Sequence, residues 1–215
     1  MARVSQAHLD ARRRQILDGA ALCFARNGFH ATSMQDVLKE VDLSAGAVYR
    51  YFSGKDELIG AIVAEVLGTV REVYERAARE TPPPTPDVLI PRTMAQLQQE
   101  RPTLLADGTW MFPRLMLQVW AETVRNEELA AVLRDGFAVV RGSWRLLVEA
   151  YKEAGLMPAD ADADAMARVM IAFVQGFAAQ LALFGPVPEE TLRDGLRALM
   201  SVQRNDQESS PEQRS

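Results

Sequence analysis

The side chains able to do chemistry are few, and their spacing argues against catalysis. His8 and His30 share no ligand spacing, and Cys23 falls on the apolar face of a helical stretch with Ile16, Ala20 and Phe24. Asp160, Asp162 and Asp164 alternate as in a calcium loop, but the glycine and terminal glutamate of such a loop are missing. They read as caps for the next helix, placed at its positive end. The chain is therefore expected to be no enzyme and to need no metal and no cofactor. The chemistry that remains is recognition. Within residues 32–55 the sequence gathers Thr32, Ser33 and Ser44, the small Ala45, Gly46 and Ala47, the phenol of Tyr49, and the cations Arg50 and Lys55. Hydroxyl-capped helix starts offer free N–H groups to phosphates, small residues let a backbone approach a groove, and cations meet phosphate or base edges.

The elements that must hold these groups are helical. A first helix is predicted from about Asp10 to Asn27, stopped by Gly28. A second begins after Ser33, where Ser33 and Asp36 have capping-box spacing, and ends near Val41. A third begins after Ser44 and runs to about Tyr51. Two short helices joined by a three-residue turn, the second opened by a serine, make a helix-turn-helix. Val37, Val41, Leu43 and Val48 supply its small core, and Asp42 is expected at φ > 0 where the chain leaves the second helix. Tyr51 and Phe52 are assigned to the core. A fourth helix starts after Ser53, again with serine and Asp56 three apart, and continues to about Ala78 with the stripe Leu58, Ile62, Val66, Val70 and Val73.

The order A-T-S-M-Q-D-V, then L-S-A-G-A-V-Y-R-Y-F, then S-G-K-D-E-L resembles the TetR family of bacterial regulators over about residues 10–65. Asp42 departs from the family's usual glycine, and Leu38 from a small residue. The resemblance implies an all-α fold: an N-terminal three-helix DNA-binding domain and a C-terminal helical ligand-binding and dimerisation domain. It also implies that Tyr49 and Lys55 contact backbone phosphate. The expected division is residues 1–55 for the head, 56–203 for the body with the fourth helix shared, and 204–215 for a polar, disordered tail.

Charge divides the same way. The net charge is −5, yet residues 1–55 carry eight basic and five acidic side chains, a surplus of three that leaves the rest at −8. A basic head on an acidic body fits a protein of which only the head meets phosphates. Part of Arg12, Arg13 and Arg14 is expected to join in. Apolar residues make up 48% of the chain, no apolar run is read as a membrane span, and the lone cysteine suits a reducing cytoplasm.

Beyond the proline-rich segment 81–86, helices are predicted at about 87–100, 110–126, 128–154, 162–184 and 189–202. Helix 128–154 carries Leu129, Leu133, Phe137, Val140, Trp144, Leu147 and Tyr151 in one seam; helix 162–184 carries Met166, Met170, Phe173, Phe177, Leu181 and Phe184, with small Ala172, Gly176 and Ala179 on another face. Both are expected to form a homodimer interface. Met94, Leu97, Trp110, Phe112, Met116, Trp120 and Phe173 are the expected lining of an effector pocket, with Gln118, Glu122 and Gln175 as polar groups that orient the ligand. The whole reads as a dimeric repressor that leaves double-stranded operator DNA when a small apolar or amphipathic molecule binds. The alternatives are a DNA-bound scaffold for a protein partner, or an activator without a ligand.

Overall fold

The computed structural model describes residues 6–100, 105 and 108–201. Among the described residues the regular structure is helical: α1 (Gln6–Asn27), α2 (Met34–Val41), α3 (Ala45–Tyr49), α4 (Lys55–Ala77), α5 (Pro86–Glu100), α6 (Met111–Thr123), α7 (Glu127–Glu153), α8 (Ala163–Phe184) and α9 (Glu189–Met200). The expected all-α class stands, and element ends move by a few residues at most. The tail expected at 204–215 lies outside the described residues.

Local rules account for the head. Ser33 accepts from the Asp36 amide while Asp36 accepts from the Ser33 amide, so the capping box closes α2 at its start. Asp42 leaves α2 at φ 52°, ψ 50°, the left-handed conformation a short polar side chain tolerates. Ser44 accepts from the Ala47 amide and starts α3. The expected Ser53–Asp56 box is not what forms. The Ser53 amide and hydroxyl both donate to Glu57, 2.7 and 2.8 Å away, and Asp56 accepts instead from Asn126 on the body.

Two apolar clusters hold the chain together, and α4 contributes to both. Its first half sends Leu58, Ile59, Ile62 and Val63 into a cluster with Ile16, Leu17, Phe24, Val37 and Val48 of the head, a cluster that runs on to Met111, Leu115 and Val119 of α6. Its second half sends Val73, Tyr74 and Ala77 against Leu89, Ile90, Trp144 and Leu147. Each fully buried Leu, Ile or Val contributes about 1.5–3 kcal/mol, so this stripe alone ties α4 firmly at both ends. The α4–α7 contact is close because Gly136 has no side chain: a Cβ there would lie 2.2 Å from Leu67 Cδ1. A buried polar anchor fastens α9 beneath α5. Asp87, 4% exposed, accepts from the Thr85 hydroxyl at 2.5 Å and from Arg197 at 3.1 Å.

The α7 seam corrects the expectation for its role. Leu129, Val140, Trp144, Leu147 and Tyr151 are buried within this chain. They face α4 and α8, because α7 is the helix that closes the body over α4. By contrast, α8 has the length and apolar content of a membrane-crossing helix, with a mean hydropathy of 1.5, and only 17% of that window is buried. Its Leu183 and Phe184 stand 64% and 81% exposed.

Gly19 gives a test of the head's packing. A Cβ there would sit 2.3 Å from Val41 Cγ1, and a β-branched valine has no spare rotamer to retreat into. Gly19→Ala is expected to destabilise the protein by about 1–3 kcal/mol in denaturant unfolding, although alanine is the better helix former. A neutral or stabilising result means α1 and α2 can separate without cost.

Candidate nucleic-acid interface and ligand cavity

Helix α3 projects from the head with its small residues outward. Ser44, Ala45, Gly46, Tyr49 and Arg50 are exposed and Ala47 is half-exposed, while Val48 is fully buried beneath them as the anchor. Gly46 faces open space. The α2 start supplies Ser33 at the same exposed end, and its Asp36 carboxyl is held below the usual carboxylate range by the Ser33 hydrogen bonds. Glu57 is held low by Ser53 in the same manner. Both caps therefore stay formed until the solution is acid enough to protonate them.

Two expected phosphate contacts are otherwise occupied. Thr32 is buried, its hydroxyl donating to the carbonyls of Cys23 and Gly28 at 3.2 and 2.8 Å, so its side chain belongs to the α1–α2 turn and not to the surface. Lys55 donates to the Phe29 carbonyl at 2.9 Å and lies 4.7 Å from the centre of the Phe29 ring. It clasps the head to the start of α4 and remains half-exposed. Arg13 pairs with Glu65 and lies over the Phe52 ring, which ties α1 to α4. Cys23 is a core residue whose thiol pKa is raised by burial.

The body holds a partly open cavity of about 90 Å³ between α4, α5, α6, α7 and α8. Met94, Leu97, Phe112 and Met116 line it as expected, and so does Gln175; Val66, Leu67, Tyr74, Phe137 and Trp144 complete the wall. Among the described residues lining it, none is charged. Phe112 and Met116 also line a neighbouring space of about 50 Å³ that Trp120 closes. Trp110 and Phe173 are corrections. Trp110 stands in a separate cleft with Phe177 and Leu192, and Phe173 turns outward, 37% exposed. One helix turn places residues four apart on one side, but only packing decides which side meets the cavity.

Two polar groups distinguish the cavity wall from plain core. The Tyr74 hydroxyl is hydrogen-bonded with Thr93 and kept neutral by burial. The Trp144 indole is 1% exposed, and its Nε1–H finds no hydrogen-bond partner among the described residues. A buried donor left unmade costs about 1–3 kcal/mol, so such groups are rare and mark places where a partner is expected.

Gln118 and Glu122, expected to orient a ligand, face the head instead. A Cβ at Gly28 would meet Gln118 Oε1 at 3.3 Å, and the buried Glu122 lies 2.8 Å from His30 Nε2. Helix α6 thus has the cavity on one side and the α1–α2 turn on the other. Asn126 donating to Asp56 at 2.6 Å closes the same seam.

Residues 16–62 match the family model for bacterial regulatory proteins of the tetR family. Residues 104–203 match the model for the C-terminal part of BetI-type transcriptional repressors. The HTH-type transcriptional repressor Rv1474c of Mycobacterium tuberculosis is 43% identical over 65 residues, 30% of this chain and 35% of that protein, so this likeness spans about a third of its length. The HTH-type transcriptional regulator UidR of Escherichia coli is 24% identical over 91% of this chain and 94% of its own. The solved structure of Salmonella enterica GusR superimposes with a TM-score of 0.66 at 25% identity, covering 94% of this chain and 100% of that one. An exposed, serine-capped α3 on a basic three-helix head, carried by a helical body that both comparisons match, leads to one assignment: the chain belongs to the TetR family of transcriptional regulators.

Proposed function

We propose that this protein is a dimeric repressor whose heads, residues 1–55, bind two half-sites of a near-palindromic operator, and whose body, residues 56–203, releases them when a small molecule fills the central cavity. The observation that carries the reading is α3: a capped helix of small residues, exposed along its outer face, with Tyr49 and Arg50 at its end. Ser33, Ser44, Ala45, Gly46, Ala47, Tyr49, Arg50 and Lys55 form its DNA surface. Ser33 and Ser44 hold phosphates at helix starts, Tyr49 adds a phenol donor, and Ala45, Ala47 and Arg50 face base edges. Lys55 contributes through the N–H groups that the Phe29 carbonyl leaves unused. The protein acts in the cytoplasm, where its operator is.

The dimer rests on α8 and α9. An apolar helix with so little of its surface covered by its own chain calls for a second apolar surface. Val169, Phe173, Leu183, Phe184, Leu199 and Met200 are exposed there, and Ala172 and Gly176 allow a close approach. Two-fold pairing sets the heads about 34 Å apart, one turn of DNA. Signal passes through α6. A ligand that spreads Phe112 and Met116 moves the helix whose far side holds Gly28 and His30, and a coupling of about 1–3 kcal/mol changes operator occupancy noticeably. A scaffold for a protein partner would leave the α8 face open for that partner. The oligomeric state distinguishes the two.

Tyr49→Ala and Lys55→Ala are expected to weaken binding to all DNA sequences together, and Lys55→Ala to flatten the salt dependence by about one unit per site. Fluorescence anisotropy across a salt series measures this. An unchanged slope removes Lys55 from the phosphate contacts. Sedimentation is expected to give a dimer at micromolar concentration, with Gly176→Leu shifted toward monomer. A wild type that sediments as a monomer ends the paired-groove mechanism. Glu122→Leu, which breaks the contact to His30, is expected to leave effector-free operator affinity within a few-fold and to blunt release by effector. Unaltered release would show that the signal bypasses α6.

A further inference from the structure

Next to the uncharged cavity lies an open cleft of about 670 Å³ between α6, α7 and α8. Among the described residues that line it are three guanidinium groups, Arg134, Arg141 and Arg168, and no carboxylate. The cleft and the cavity share a wall made of Phe137, Ile171 and Gln175. Among the described residues, two carboxylates pair with these three arginines from outside the cleft. Asp164 serves both Arg141, at 3.3 Å, and Arg168, at 2.9 Å. Glu127 pairs with Arg134 at 2.7 Å, but this pair is 82% and 61% exposed and therefore weak. The surplus positive charge sits at the mouth of a space whose own lining offers only apolar surface, the Gln175 amide, the Tyr74–Thr93 hydroxyls and the unpartnered Trp144 N–H.

From this juxtaposition we infer that the effector is an amphipathic anion: an apolar chain or ring enters between Phe137, Ile171 and Gln175 into the cavity, and its acidic head remains among Arg134, Arg141 and Arg168. The inference rests on the cavity being the effector site. Physical chemistry separates the two ends. A charge inside the cavity would lose its hydration with nothing there to replace it, whereas guanidinium groups bind carboxylates and phosphates with paired, charge-assisted hydrogen bonds. An apolar body in the open cleft alone would gain little. Gln175, present in both walls, stands where the polar and apolar parts of the ligand meet. An oxygen in the buried part of the molecule would satisfy the Trp144 N–H.

The test uses the full-length protein and two homologous series, hexanoate through dodecanoate and 1-hexanol through 1-dodecanol, each kept below aggregation. Tryptophan fluorescence and operator release are read together. At the optimal length the carboxylate is expected to bind at least ~10-fold more tightly than the alcohol. Arg134→Gln, Arg141→Gln and Arg168→Gln combined should abolish that advantage and leave alcohol binding in place; these side chains are partly exposed, so the fold should survive. Val174→Phe, which fills the cavity, should abolish both. Should it fail to fold, Met116→Trp fills the space from the opposite wall. Equal affinity for acid and alcohol, or an advantage that survives loss of the arginines, overturns the anionic head and leaves the cavity reading intact. Binding that survives a folded cavity-filled variant overturns the cavity reading itself. If no member of either series binds, both are overturned.

Discussion

Helix α4 has to bury one apolar stripe against two different partners, and the rest of the structure follows from that constraint. Its first half is part of the head's core and its second half part of the body's. Neither half can shed its contacts without exposing several fully buried Leu, Ile and Val side chains, so the helix cannot hinge freely in the middle. At 23 residues it is ~35 Å long. A small tilt at the body end therefore becomes a displacement of several ångströms at the head. The glycine opposite Leu67 lets α7 lie close enough to hold this beam along much of its length.

Helix α6 is the second element under a double demand. Its buried Met111, Leu115 and Val119 extend the head's core, its Phe112 and Met116 form the cavity, and its Gln118 and Glu122 meet the α1–α2 turn. An apolar core runs from the head into the helix beside the cavity and joins the two by direct packing. The cavity is small, and its walls include Met94, Leu97 and Met116, unbranched or flexible side chains that repack at low cost. Its fixed polar features are Gln175, the Tyr74–Thr93 pair and Trp144.

The uncovered face of α8 is the largest departure from an ordinary core. Most apolar helices of this length in a folded chain are enclosed by their own neighbours, yet here the residues that would complete the enclosure are missing from α9, which offers Leu196 inward and Leu199 and Met200 outward. The polar anchor of Asp87 with Thr85 and Arg197 holds α9 in place beside α5, so α9 is not free to cover α8. The exposed surface is thus a product of rigid positioning and not of looseness.

The parts of the head that obey short-range rules were legible from the order of residues. A serine three before an aspartate closes α2, a serine opens α3, and an aspartate tolerates the left-handed turn, all through atoms within four residues of one another. The all-helical class and most of the cavity wall on α5 and α6 were legible as well, because a 3.6-residue period states which side chains share a face. What period cannot state is the surface that each face meets. Tertiary packing alone decided that the α7 seam closes its own chain, that Phe173 and Trp110 leave the cavity, and that Gln118 and Glu122 turn to the head. The same holds for single polar groups. Thr32 and Lys55 carry the right chemistry for phosphate, but the carbonyls of Cys23 and Gly28 take up the single Thr32 donor, and the Phe29 carbonyl takes one of the three that Lys55 has. A sequence determines which groups a helix can offer; the neighbours that folding brings within about 3 Å decide which of them remain on offer.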